Sequence, residues 1–176
     1  MFEVFDNLVP WMHQQEIYKF VISSKYEIKG WEDRDDLEIA KFDLHSKWSL
    51  EDLNNSGLKP HIERVLDMSK HDFSFDNYRF TSVNLTRKGD YGYVHAHGKD
   101  TLIVLYYVNL QWKEEWAGET LFFDPYTHEA KYASSFKPGR FLVFDGNAPH
   151  AIRCQSTIGP DYRFTITNVF DKLYRR

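Results

Sequence analysis

Two kinds of hydrophobic spacing divide this chain near residue 70. Upstream, Leu8, Trp11, Ile17, Phe20 and Val21 roughly follow helical spacing, and Pro10 suits an early helical turn. Ser56-Gly57-Leu58-Lys59-Pro60 opens a second predicted helix, in which Leu58, Ile62, Val65 and Leu66 fall on one face. Between them, residues 25–48 carry strand-like fragments. The charge cluster EDRDDLE at 32–38 reads as a solvated loop.

From Phe73 onward the period shortens. NYRFTSVNLT alternates, as a half-buried strand does. TLIVLYYVNL is a continuous β-branched and aromatic run, the pattern of a strand covered on both faces. ETLFFD, KYASSF, GRFLVFD and RFTITNVFD follow, separated by turn residues such as Lys88-Gly89-Asp90, Pro138-Gly139 and Asp145-Gly146-Asn147. Many short strands at regular spacing predict a sandwich or jelly-roll barrel. The expected class is α+β but mainly β. A single domain spans 1–176, with a helical support region at 1–70 and a jelly-roll core at 71–176.

Composition narrows the function. Aromatic residues make up 17% of the 176 positions, which argues against disorder. The net charge of −4 gives no reason to expect a nucleic-acid partner. One cysteine, Cys154, excludes a disulfide framework and a thiolate metal cluster, and reads as an ordinary reduced thiol. No apolar run approaches the roughly 18–20 residues of a membrane span, and no signal peptide opens the chain. A soluble, cytoplasmic protein is expected. The glycosylation patterns at Asn54 and Asn84 then read as chance matches.

Eight histidines remain. His95 and His97 stand two apart before the strongest strand, so in extended backbone both imidazoles project to one side. His150 follows another strand and a turn, and a jelly roll can bring those strand ends together. Three ligands on one face would leave the opposite positions of a metal open. The spacing alone leaves a hydrogen-bonded or surface role open for all three. His13, His45, His61, His71 and His128 read as ordinary.

The stretch from Val83 to Asp171 resembles the 2-oxoglutarate- and Fe(II)-dependent oxygenases, in particular the prolyl-4-hydroxylase-like branch and its small bacterial and phage relatives. RKGDYGYVHAH resembles the first metal motif and LYYVNLQW the Tyr-Leu-Asn strand. AGETLFFDP is similar to the Gly-Gly-Glu turn. FKPGRFLVFDGNAPHAIR resembles the strand leading to the second metal histidine, and YRFTITNVFD the final strand. The resemblance implies a double-stranded β-helix, or cupin-like jelly roll, with N-terminal supporting helices. It implies a dioxygenase that hydroxylates a C–H bond, using Fe(II), 2-oxoglutarate and, as accessory reductant, ascorbate.

Position by position, the resemblance makes His95, His97 and His150 the metal ligands and catalytic centre. Arg163 falls where an arginine pairs with the distal carboxylate of 2-oxoglutarate, a group that a guanidinium fork grips in bidentate fashion. Tyr107 falls where a hydroxyl could reach the same carboxylate, or equally where a core tyrosine sits. Thr165 and Thr167 share the face of Arg163. The usual His-x-Asp is His-x-His here, which leaves a bound divalent ion at +2 rather than +1. Asp100 is the alternative third ligand, reached through a turn at Gly98-Lys99. Trp112 and Trp116 form either a wall over the mouth or a hairpin packed on the N-terminal helices. A peptidyl residue such as proline is the implied substrate, with a small molecule as the other choice. Two other readings stay open: a three-histidine metal enzyme that uses no 2-oxoglutarate, and a non-catalytic jelly-roll module with a vestigial site. Nothing in the sequence indicates an oligomeric state.

Overall fold

The computed structural model describes residues 2–30, 42–90 and 92–171. The acidic cluster at 32–38 lies outside them. The elements run β1 (Phe2–Phe5), α1 (Trp11–Ile22), β2 (Glu27–Gly30), β3 (Phe42–Trp48), α2 (Leu50–Asn55), α3 (Lys59–Met68), β4 (Tyr78–Arg87), β5 (Thr101–Tyr107), β6 (Thr120–Phe123), β7 (Ala130–Ser134), β8 (Phe141–Asp145), β9 (His150–Ile152) and β10 (Tyr162–Asp171). Among the described residues no helix is long and apolar enough to cross a membrane.

Seven strands form one antiparallel sheet in the order β1-β8-β5-β10-β4-β3-β2, and three form a second in the order β7-β6-β9. The alternation along β5 explains its unbroken apolar run. Leu102, Val104 and Tyr106 face one cluster, shared with Ile17 and Val21 of α1, Leu53 of α2, and Ile62, Val65 and Leu66 of α3. Ile103, Leu105 and Tyr107 face the other, shared with Phe122 of β6, Phe136, and Leu142 and Phe144 of β8. The larger sheet is therefore covered by helices outside and by the smaller sheet inside. Every residue of β5 is buried.

Both predicted helices form. The Leu58, Ile62, Val65, Leu66 face is fully covered. Trp11, read as part of the α1 stripe, is instead exposed at the first helical position. The unforeseen α2 is short but well capped: Ser49 accepts from the Asp52 amide while the Asp52 carboxylate accepts from the Ser49 amide. The N-terminal region also gives more than helical support. Its β1 pairs with β8 and its β3 with β4, so three of its strands extend the larger sheet. Asp6, just after β1, accepts from Arg140 Nε at 2.8 Å and from Lys137 at 3.0 Å, which ties this edge to the start of β8.

Candidate metal centre and anion pocket

His95 and His150 form a two-way backbone bridge, each amide donating to the other's carbonyl at 3.0 Å. Residues paired in this way project to the same face. His97 lies two residues on, and its amide donates to the Gly146 carbonyl. One nitrogen from each ring lies within 4.8 Å of the other two. The ring centroids are 4.4 Å (His95–His150), 5.1 Å (His95–His97) and 5.1 Å (His97–His150) apart. Gly146 makes the close approach possible: a Cβ there would meet the Thr101 hydroxyl at 1.8 Å.

Nδ1 of His95 lies 2.9 Å from the Tyr93 carbonyl, and Nδ1 of His150 lies 2.8 Å from the Ala148 carbonyl. A carbonyl only accepts, so each Nδ1 carries the proton and each Nε2 keeps its lone pair for a metal. Burial, with a contribution from His95, holds His97 down to about 4 and His150 down to about 3. Both are therefore neutral near pH 7, the state a metal requires. Phe144 and Phe122 flank His150, with centroids at 4.8 and 6.1 Å. Three imidazoles presented together fit a divalent transition ion. The other five histidines do not join this group among the described residues, nor does Asp100, which is exposed at the turn before β5.

Arg163 sits on the same inner face of the larger sheet. Its neighbours Thr165, Thr167 and Val169 alternate inward, while Phe164, Ile166 and Phe170 face the helices. The side chain is only 1% exposed. Nε donates to the Gly118 carbonyl at 3.0 Å, and the two terminal nitrogens have no partner among the described residues. The guanidinium lies 5.0 Å from the Phe136 ring centre and 5.6 Å from that of Tyr107. Burial pushes this group down to about 10. A buried guanidinium with two unpaired nitrogens is costly on its own and fits an oxyanion.

Tyr107 is fully buried and stacks on Phe136 at 4.5 Å. Its hydroxyl donates to the Thr120 Oγ1 at 2.7 Å, and burial pushes the phenol up. Trp112 packs on Phe136 at 4.2 Å and its indole donates to the Ala117 carbonyl, with Trp116 edge-on at 5.8 Å. Trp112 thus joins the inner cluster rather than the N-terminal helices. Sequence reasoning missed Phe136, Thr120 and Gly118. Gly118 carries a signal in the Ala-Gly-Glu-Thr turn. It adopts φ +83°, and a Cβ there would sit 2.9 Å from Trp112 and 3.4 Å from Arg163.

No protein-family model matches this sequence, and no curated protein does. Solved structures do match. A prolyl hydroxylase from Trichoplax adhaerens, in complex with a hypoxia inducible factor oxygen degradation domain peptide fragment, superposes with a TM-score of 0.69 at 17% identity. That match covers 97% of this chain and 83% of that one. A prolyl-4-hydroxylase from Pseudomonas putida gives 0.65 at 16%, over 97% and 92%. A 2OG-Fe(II) oxygenase family oxidoreductase from Burkholderia pseudomallei gives 0.69 at 11%, over 97% and 84%. The chain therefore has the double-stranded β-helix fold of the prolyl hydroxylases and 2-oxoglutarate/Fe(II) oxygenases.

Proposed function

We propose that this protein is a 2-oxoglutarate- and Fe(II)-dependent dioxygenase that hydroxylates a C–H bond. The observation that carries the reading is Arg163: a fully buried guanidinium whose two terminal nitrogens have no partner among the described residues, packed on Phe136 and Tyr107 of the inner cluster whose Phe122 and Phe144 flank His150. In this reading His95, His97 and His150 hold Fe(II), and Arg163 holds the distal carboxylate of 2-oxoglutarate. When bound, the metal and cosubstrate supply the oxidation: O2 is consumed, 2-oxoglutarate leaves as succinate and CO2, and one oxygen atom enters the substrate.

The chain's own residues orient and exclude. The Tyr93 and Ala148 carbonyls fix the ring orientations of His95 and His150. Gly118 holds Nε of Arg163 and so aims its two terminal nitrogens. Tyr107, its hydroxyl donating to Thr120, sets its ring beside Arg163 and stiffens the pocket wall. Phe136 and Trp112 close that wall against water. For substrate, we favour a peptidyl residue such as proline over a small molecule, because a neighbour of the same fold was solved with a peptide.

The test is uncoupled turnover. Purified protein given Fe(II), ascorbate and 2-oxoglutarate should release succinate slowly without a prime substrate, and Arg163→Ala should release far less while still binding metal. Metal binding with no succinate, and no cosubstrate binding, would sink the assignment.

A further inference from the structure

We infer that His97 makes retention of the metal depend on the dicarboxylate that Arg163 holds. The inference rests on the proposed function and concerns how this chain's residues share charge. Each of the three donors is an imidazole, which ligates a metal as the neutral ring, and no carboxylate joins the group among the described residues. A divalent ion held by them keeps its full charge, next to the apolar rings of Phe144 and Phe122. Uncompensated charge in such surroundings is costly, and attraction to an opposite charge is strong there. An aspartate at position 97 would cancel part of that charge within the protein. Histidine leaves the task to a ligand.

The second positive centre has the same deficit. Arg163 donates through Nε to a neutral carbonyl and forms no ion pair among the described residues. Glu119 attracts this guanidinium only through space, and its carboxylate accepts a bond from Arg153 at 3.3 Å. One inner surface would therefore present two cationic groups, the bound metal and the guanidinium, and among the described residues no carboxylate joins the three donors or hydrogen-bonds the guanidinium. A dicarboxylate that reaches both neutralises both. By linkage, each partner then raises the affinity of the other by the same factor.

The experiment is a Mn(II) titration of metal-free protein, read by the electron paramagnetic resonance signal of free Mn(II), with and without saturating 2-oxoglutarate. No turnover is involved. For the wild type, 2-oxoglutarate should tighten Mn(II) by about 10-fold or more, within the usual range of coupling between sites. His97→Asp should bind Mn(II) alone more tightly and show a coupling several-fold smaller. Arg163→Met should bind Mn(II) alone as the wild type does and lose most of the coupling. Equal or greater coupling in His97→Asp overturns the role of His97. The wild type alone also decides if that variant does not fold: 2-oxoglutarate that binds, by calorimetry, yet shifts Mn(II) affinity less than about threefold overturns the inference while leaving the cosubstrate assignment standing. Failure of 2-oxoglutarate to bind the metal-loaded protein overturns both.

Discussion

Replacing Arg163 with methionine should stabilise the ligand-free protein while abolishing its response to 2-oxoglutarate. Burial lowers the guanidinium from its ordinary value to about 10. At about 1.4 kcal/mol per pH unit, the charged form is disfavoured in the fold by roughly 3 kcal/mol. The folded-state value is depressed, so at every pH below about 10 the folded protein carries the charge and its full penalty. Methionine retains an unbranched stem to fill the space against Phe136 and Tyr107. Its cost is the lost bond to the Gly118 carbonyl, about 1–2 kcal/mol when that acceptor is left unpaired. The net expectation is a gain of about 1–2 kcal/mol, or roughly 2–8 °C in Tm for a domain of this size. Urea unfolding of metal-free protein measures it. In metal-loaded protein, saturating 2-oxoglutarate should add a further gain of about 2.7 kcal/mol to the wild type at 100 times Kd, and far less to the variant. A variant destabilised by more than about 1 kcal/mol would refute the reasoning, since the guanidinium would then be satisfied in the ligand-free state.

Three other outcomes follow from the geometry. His95→Ala and His150→Ala should each abolish tight metal binding by calorimetry, whereas His13→Ala, whose ring lies against His61 on the helices, should leave it unchanged; tight binding in either of the first two would remove that residue from the ligand set. Tyr106→Phe removes a buried hydroxyl with no partner among the described residues and should leave the protein as stable or up to about 1 kcal/mol more so; a loss of stability would show that the hydroxyl is satisfied. Asp6 is held at about 2, first by its bond from Arg140 and also by Lys137. Its contribution is therefore complete above about pH 4 and is lost as pH falls toward 2, a difference of about 1 kcal/mol after solvent screening that Asp6→Asn should eliminate from the acid unfolding curve.

Local patterns determined a good part of this protein. The 3.6-residue spacing of Leu58, Ile62, Val65 and Leu66 located a helix and its buried face, and the unbroken run from Thr101 marked the strand with cover on both sides. The His-x-His pair, being two apart, had to share a side. Short or non-local features were less legible. The four residues of β1 and the three of β9 are too short to show a period, and they become strands only by pairing with β8 and with β6. Trp11 looks like its apolar neighbours in sequence, but only the packed helices decide that it faces outward.

The site divides in the same way. Residue type and spacing named His95, His97 and His150 as candidates, and the family resemblance added Arg163, whose guanidinium suits a carboxylate. Only the tertiary structure decided that His150 pairs with His95 across 55 residues of chain, that Asp100 stays outside the group, and that Phe136 and Gly118 enclose Arg163. The physical reason is that ligand geometry and burial are properties of surfaces brought together by sheet pairing. A sequence records which groups are present, whereas the fold sets which of them lose water and which are left without partners.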